Sequence, residues 1–231
     1  MGRSPERIGM TRPKNPNPVE EVEVDYYNTA PIFFDIETMA LGQEELKQDM
    51  PFFEAPKTYK KQESIDEYIE KKRVEYIAKA ALSPLTGRVL AIGMKTEGER
   101  TVLDYQDEKH TLKEFWKYFR LNSCAKWVGH NSNSFDWPFL IKRSWKYNLS
   151  VPTGIKDGRY YCKNITDTME LFCSAYGERI SLDRLGRYFG VGEKNGSGKF
   201  FAELYYSNKD EAITYLYNDL DLTQAVWERM Q

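Results

Sequence analysis

Histidine is nearly absent from this chain: His110 and His130 are the only two in 231 residues. A metal centre or acid–base site built from clustered imidazoles is therefore excluded. Cysteine is also scarce. Cys124, Cys162 and Cys173 form an odd, scattered set with no CxxC pair, so neither a disulfide framework nor a cysteine zinc site is expected. That usage fits a reduced, cytoplasmic compartment of bacterial or phage type. No apolar run approaches the roughly 20 residues that cross a bilayer, so no membrane partner is expected. The first residues, MGRSPERIGMTRPKNPNPVE, lack the apolar stretch of a secretory signal. An excess of one charge sign is missing too. With 33 Lys and Arg against 35 Asp and Glu, the formal net charge is −2. This excludes the basic footprint of avid, nonspecific nucleic-acid binding, while leaving open an enzyme that grips a few phosphates locally.

Apolar residues make up 41% of the chain, and Phe, Trp and Tyr alone 14%, which is enough to build a sizeable core. The length suits one domain with a tail. Residues 1–25 are proline-rich and poor in apolar side chains and are expected to be a flexible N-terminal tail, with the domain proper over 26–231. PIFFDIET (31–38) has the pattern of a buried strand. Residues 39–59 look irregular, and Ser64 with Glu67 forms a capping box for a helix ending before Pro84. RVLAIGMK (88–95) and RTVLDYQ (100–106) suggest a hairpin turning at Gly98. A helix over 112–121, a short strand KWVGHN (126–131), a helix over about 135–147 and a strand at 162–168 follow. MELFCSAY and SLDRLGRYFG read as helices, the second closed by Gly190, and VGEKNGSGK is a loop leading to a last helix from about Lys209 to Arg229. The order predicts an α/β fold: a mixed sheet with an antiparallel hairpin and helices on its faces.

Acidic residues carry the chemical signal. Asp35 and Glu37 lie two apart on the first strand, so both carboxylates leave one face while Ile32, Phe34 and Ile36 fill the other. Such a pair is either an exposed strand end or a hard-cation site, for which oxygen ligands suit Mg²⁺ or Mn²⁺. Asp136 begins a helix just after a strand. It is either an acid favoured by the helix dipole or a group at the crevice where open α/β sheets bind ligands. On the last helix, Asp219 shares a face with Ala212, Tyr215, Leu222 and Val226, whereas Asp221 falls among polar residues. Asp219 is thus expected to point inward and Asp221 to water.

FFDIET, GHNSNSFDWPFL and YLYNDLDLT together resemble the three motifs of the DEDD superfamily of proofreading 3′–5′ exonucleases, which has an RNase H-like fold. Asp35 and Glu37 match the first motif, Asn131, Phe135 and Asp136 the second, and Tyr215 and Asp219 the third. No histidine lies near Asp219, so the resemblance is to the tyrosine subclass. DTMELF, SLDRLGRYFGVGEKNGSGKFF and the last helix look most like exonuclease domains related to family-B DNA polymerases. The likeness spans roughly residues 31–230.

That resemblance implies a metal-dependent 3′–5′ exonuclease that releases nucleoside 5′-monophosphates from single-stranded DNA 3′ ends. Two divalent ions, Mg²⁺ or Mn²⁺, would be held by Asp35, Glu37, Asp136 and Asp219, with Tyr215 orienting the attacking water. Thr38 and Met39 would meet the terminal nucleotide, or merely lead the strand out of the sheet. Asn131 would contact the bound strand, or simply turn the chain. Phe135 would stack on a base or pack in the core. Lys194 and Lys199 would touch the nucleic-acid backbone from a loop that is not a Walker loop. Asp167 and His130 are expected behind the site, and His110 on the surface. Residues 43–82 form an insertion whose lysines suggest a lid or DNA guide, against a merely solvated helix. An exoribonuclease of the same superfamily, or a non-catalytic nucleic-acid-binding module, remains open on these residues alone. The expected partners are single-stranded DNA, with RNA as the alternative, and a separate polymerase or other replication or repair protein.

Overall fold

The computed structural model describes residues 30–152, 155, 164–173, 178–196 and 198–231. The expected tail, the start of the strand expected at 162–168 and part of the helix expected after Met169 lie outside the described residues.

Five strands form one sheet around a central β1 (Ile32–Ala40). β1 pairs antiparallel with β2 (Gly87–Lys95), which turns back into β3 (Arg100–Leu103); β4 (Trp127–Gly129) and β5 (Ile165–Asp167) lie parallel on the other side. The order across the sheet is β3-β2-β1-β4-β5. The expected mixed sheet with an antiparallel hairpin is therefore found. Its central strand is apolar on both sides because both sides are covered. Ile32, Phe34 and Ile36 pack against α3 (Glu108–Leu121) and α4 (Asp136–Lys146) in a cluster rich in aromatic rings. Phe33 packs on the opposite side with Val128 and Leu220, the latter from α8 (Lys209–Glu228). The β1–β2 register slips between Glu37 and Thr38: Ala91 faces Glu37 and Val89 faces Thr38, leaving Leu90 as an extra residue. Leu90 and Ala91 consequently both join the cluster containing Tyr215 and Leu216 of α8. A bulge beside Glu37 thus re-aims the sheet where the acids emerge.

Two of the missed elements are short helices. α1 (Gln43–Asp49) occupies part of the stretch expected to be irregular, and α7 (Phe201–Ser207) precedes α8. α2 (Gln62–Lys79) starts earlier than the Ser64 capping box predicts: its N-cap is Lys61, so Ser64 and Glu67 lie inside the helix. None of its residues is buried, and Ile77 is 49% exposed. α5 (Thr168–Phe172) is shorter than expected, whereas α6 (Leu182–Phe189) ends as expected on Gly190 in the left-handed conformation.

A buried ion pair locks the α3–α4 side. Glu108 accepts from Arg143 Nε (2.8 Å) and Nη2 (2.5 Å), from Tyr147 Oη (2.8 Å) and from the Val89 N–H (2.8 Å). Arg143 Nη1 donates to Pro84 O at 3.0 Å. Every charge has partners, which is what allows so polar a group to sit in a core.

Candidate active site

The acids meet at the C-terminal half of β1, between α4 and α8. Oxygens of Asp35, Glu37 and Asp219 all lie within 4.8 Å of one another. β1 delivers the first two by strand alternation. α8 delivers Asp219 by helical periodicity, on the same buried stripe as Ala212, Tyr215, Leu222 and Val226. Glu37 is 7% exposed, Tyr215 5% and Asp219 2%.

Asp136 reaches the same place by a different route. The β1–β4 ladder ends at the Phe33–Val128 pair. Beyond it, the Ile36 N–H donates to Asp136 Oδ1 at 3.0 Å, so the first turn of α4 takes over where β4 stops. Asp136 is 3% exposed and adjoins Asp35 electrostatically, but it is not one of the three residues whose oxygens form the tight cluster.

Crowded carboxylates resist ionisation. Burial, then the charge of Asp219, pushes the Asp35 carboxyl up to about 7, against the pull of Lys194. Glu37 is held well above its ordinary range by burial and then by Asp35 and Asp219. Asp136 is raised by burial and Asp35, opposed by the Ile36 N–H. Asp219 is raised by burial, with Lys194 opposing. The Tyr215 phenol is pushed well up by burial and by Asp219, so it stays protonated. Asp219 Oδ1 and Tyr215 Oη are both buried without a hydrogen-bond partner. Dense oxygen donors with unsatisfied atoms suit divalent cations, so the residues present fit such ions.

Lys194 differs from its expected role. Its ammonium sits 2.5 Å from Asp219 Oδ2 and 5.4 Å from the Tyr215 ring centroid, inside the acid cluster rather than out toward a nucleic-acid backbone. The Lys194 N–H donates to Asp183 Oδ1 at 3.1 Å, which anchors this part of the loop to α6. At Gly186 a Cβ would come within 2.5 Å of Gly192 O, so only glycine lets the loop lie so close to the helix. Loop residues carry no periodicity, so nothing in the sequence marked Lys194 as part of the cluster. Lys199 is exposed, beside the Phe200 ring.

Thr38 also differs. Its hydroxyl donates to Ala81 O at 2.7 Å, tying β1 to the end of the insertion. Met39 Sδ accepts from Tyr206 Oη at 3.4 Å, and Met39 packs against the Tyr215 cluster. Phe135 caps the start of α4 and packs partly on the aromatic core, 5.5 Å from the Phe139 ring. Asn131 adopts a left-handed φ of 58°, and its Oδ1 is buried without a partner. Its backbone N–H donates to Asp167, which also accepts from Asn133 N and Met169 N, each at 2.9 Å. Asp167 is thereby a fastener of the loop behind the site. His130 plays a similar part, bonded to Thr168 Oγ1 and Ile180 O at 2.9 and 3.0 Å. Asp221 does point away from the cluster, yet it is not free: Lys95 lies at 2.6 Å and Arg100 at 2.7 Å. The insertion is less basic in effect than its lysines suggest, because Lys72 pairs with Glu75 and Arg73 with Glu70.

Residues 88–231 match the family described as predicted 3′-5′ exonucleases related to the exonuclease domain of PolB. The match includes Asp136, Tyr215 and Asp219; Asp35 and Glu37 precede it. A DNA polymerase of Archaeoglobus fulgidus is 30% identical over 70 residues, covering 30% of this chain and 9% of its own length. An uncharacterised protein of Methanocaldococcus jannaschii is 32% identical over 75 residues, covering 32% of this chain and 42% of its own. The catalytic polypeptide of DNA polymerase epsilon from Dictyostelium discoideum is 32% identical over 79 residues, covering 33% and 3% respectively. The aligned part is thus less than half the length of each relative. Among solved structures, the family B DNA polymerase of Pyrobaculum calidifontis shares the fold with a TM-score of 0.58 at 19% identity, over 87% of this chain and 24% of that one. This chain belongs to the family of 3′–5′ exonucleases related to the exonuclease domain of family-B DNA polymerases.

Proposed function

We propose that the chain removes nucleotides one at a time from the 3′ end of single-stranded DNA, releasing nucleoside 5′-monophosphates, with two divalent cations held by Asp35, Glu37, Asp136 and Asp219. The observation that carries this reading is the approach of Asp35, Glu37 and Asp219 oxygens to within 4.8 Å, with the Tyr215 phenol on the same face of α8 as Asp219. DNA rather than RNA is favoured because the named relatives are DNA polymerases.

A polyanionic strand would be repelled by this many carboxylates, so counter-cations are a condition of substrate entry. Mg²⁺ or Mn²⁺ bound here supplies Lewis-acid stabilisation of the attacking and leaving oxygens of the phosphodiester. The rest is done by the chain's own groups. Asp35, Glu37 and Asp219 would hold the ions, with Asp136 supporting them from the first turn of α4. Tyr215 keeps its proton, so its role is to orient the nucleophilic water through a hydrogen bond, not to act as a bulk base. Asn131 lies at the turn before α4, where it would meet the strand, and Lys199 offers an exposed cation for its backbone.

The test is digestion of single-stranded DNA and RNA carrying 5′ or 3′ labels, with Mg²⁺, Mn²⁺ or EDTA. The expected result is a ladder shortening from the 3′ end of DNA, lost in EDTA. Cleavage that persists in EDTA, or a 5′ label released first as a mononucleotide, would overturn the reading; equal or faster digestion of RNA would move the substrate to RNA.

A further inference from the structure

Lys194 is built into the acid cluster. Its backbone is held by Asp183, and the adjacent loop rests on α6 at Gly186, so the direction of its side chain follows from packing on both sides. The ammonium meets Asp219 Oδ2, while the other carboxylate oxygen, Oδ1, is buried without a partner, as is Tyr215 Oη. One side of the cluster is therefore neutralised by a protein cation, and the remaining donors still lack one. The Lys194 side chain is 25% exposed, so it has a way out toward solvent.

An ammonium and a divalent ion are two answers to the same excess of negative charge. They are poor neighbours. At about 4 Å and the reduced dielectric of a partly buried site, repulsion between like charges is severe, and it doubles for a dication. Three clustered acids without any counter-cation would also be costly to keep ionised. We infer that Lys194 is the site's own counter-cation and competes with the divalent metal, so that the cluster exchanges between a lysine-neutralised form and a metal-loaded form. This inference rests on the metal-site reading above. It assigns Lys194 a role opposed to metal binding, whereas a lysine devoted only to a substrate phosphate would leave metal affinity unchanged in the absence of nucleic acid.

The experiment is an Mn²⁺ titration of the full chain without nucleic acid, with free Mn²⁺ followed by electron paramagnetic resonance. Wild type, Lys194→Met and Asp219→Ala are compared. Methionine keeps the apolar stem and removes the charge. Loss of one charge-assisted contact that metal binding must otherwise break should tighten Mn²⁺ binding by about 10- to 100-fold in Lys194→Met. Asp219→Ala should bind Mn²⁺ more weakly than wild type. In parallel, Lys194→Met should melt below wild type in EDTA yet gain more from Mn²⁺, a pattern that simple misfolding would not produce. Unchanged or weaker Mn²⁺ binding by Lys194→Met, with wild type binding normally, overturns the inference alone. Absence of Mn²⁺ binding in both at millimolar concentration overturns it together with the metal-site reading.

Discussion

We predict that the stabilisation conferred by Mn²⁺ rises steeply with pH below neutrality. The reasoning starts from Asp35, whose carboxyl is raised from 3.8 to about 7 by burial and by Asp219. A carboxyl raised in the folded state adds stability at acid pH, and that contribution is lost as pH rises toward the folded pKa. His130 works in the opposite sense. Burial lowers it to about 4 from 6.5, so the folded state loses stability as pH falls below about 6.5. In EDTA the two trends oppose each other between pH 4 and 6.5, and a melting profile of the metal-free protein alone would be ambiguous. The metal increment isolates the acids, because a cation requires their ionised forms and makes no demand on His130. Each pH unit below the Asp35 value costs metal binding about 1.4 kcal/mol. From pH 5 to 7 the Asp35 carboxyl alone should therefore make the increment grow by roughly 2–3 kcal/mol, or about 5–10 °C in Tm for a chain of this size, and the raised Glu37 and Asp136 carboxyls add to it. Differential scanning fluorimetry at pH 5, 6, 7 and 8, with EDTA or saturating Mn²⁺, measures it. An increment independent of pH would show that the Asp35 carboxyl is not among the ligands or is not raised.

Three further outcomes are expected. Asp219→Ala should abolish hydrolysis, whereas Asp221→Ala should keep most of it and lose about 1 kcal/mol of stability or less, since its bonds to Lys95 and Arg100 are partly exposed; inactivity of Asp221→Ala would show that the α8 face has been misassigned. Tyr215→Phe should slow single-turnover cleavage on the order of 10–1,000-fold while binding in Ca²⁺ stays near wild type, because only the phenol's hold on the water is removed. If binding collapses equally, Tyr215 is a substrate anchor. Glu108→Gln should unfold more easily by about 3–5 kcal/mol in chemical denaturation, leaving the Arg143 charge buried without its partner; a loss under about 1 kcal/mol would contradict that packing.

Periodicity made the acidic face of the candidate site legible. Alternation on β1 puts Asp35 and Glu37 on one face and the helical repeat on α8 turns Asp219 inward, and the structure brings those three together. The fold class was legible for the same reason, since buried strands and amphipathic helices announce themselves in order. What could not be read are the bonds to partners distant in sequence: the Ile36 N–H, a hundred residues away, that fixes Asp136, and the Arg143, Tyr147 and Val89 groups that together hold Glu108. The hydrogen bond from the Thr38 hydroxyl to Ala81 O, 43 residues on, likewise left no mark in the sequence. The Ser64 capping box failed because a helix with no buried face is not held to one start by packing.

The insertion shows why an acid pair and its partner strand can be separated so widely without disturbing the site. β1 and β2 are antiparallel neighbours, and Ala40 pairs with Gly87, so residues 41–86 leave and re-enter the sheet at adjoining points. The entropy of closing such a loop grows only slowly with its length. The junction is fastened locally: Leu41 N–H donates to Thr86 O, Thr86 Oγ1 to Ala80 O, and Thr38 Oγ1 to Ala81 O. These bonds close the excursion on itself at the sheet end beyond the bulge at Glu37. The strand carrying Asp35 and Glu37 therefore takes its geometry from β2, β4, α4 and α8, not from α1 or α2. The acid pair thus joins its partners through the sheet and not through proximity in the chain.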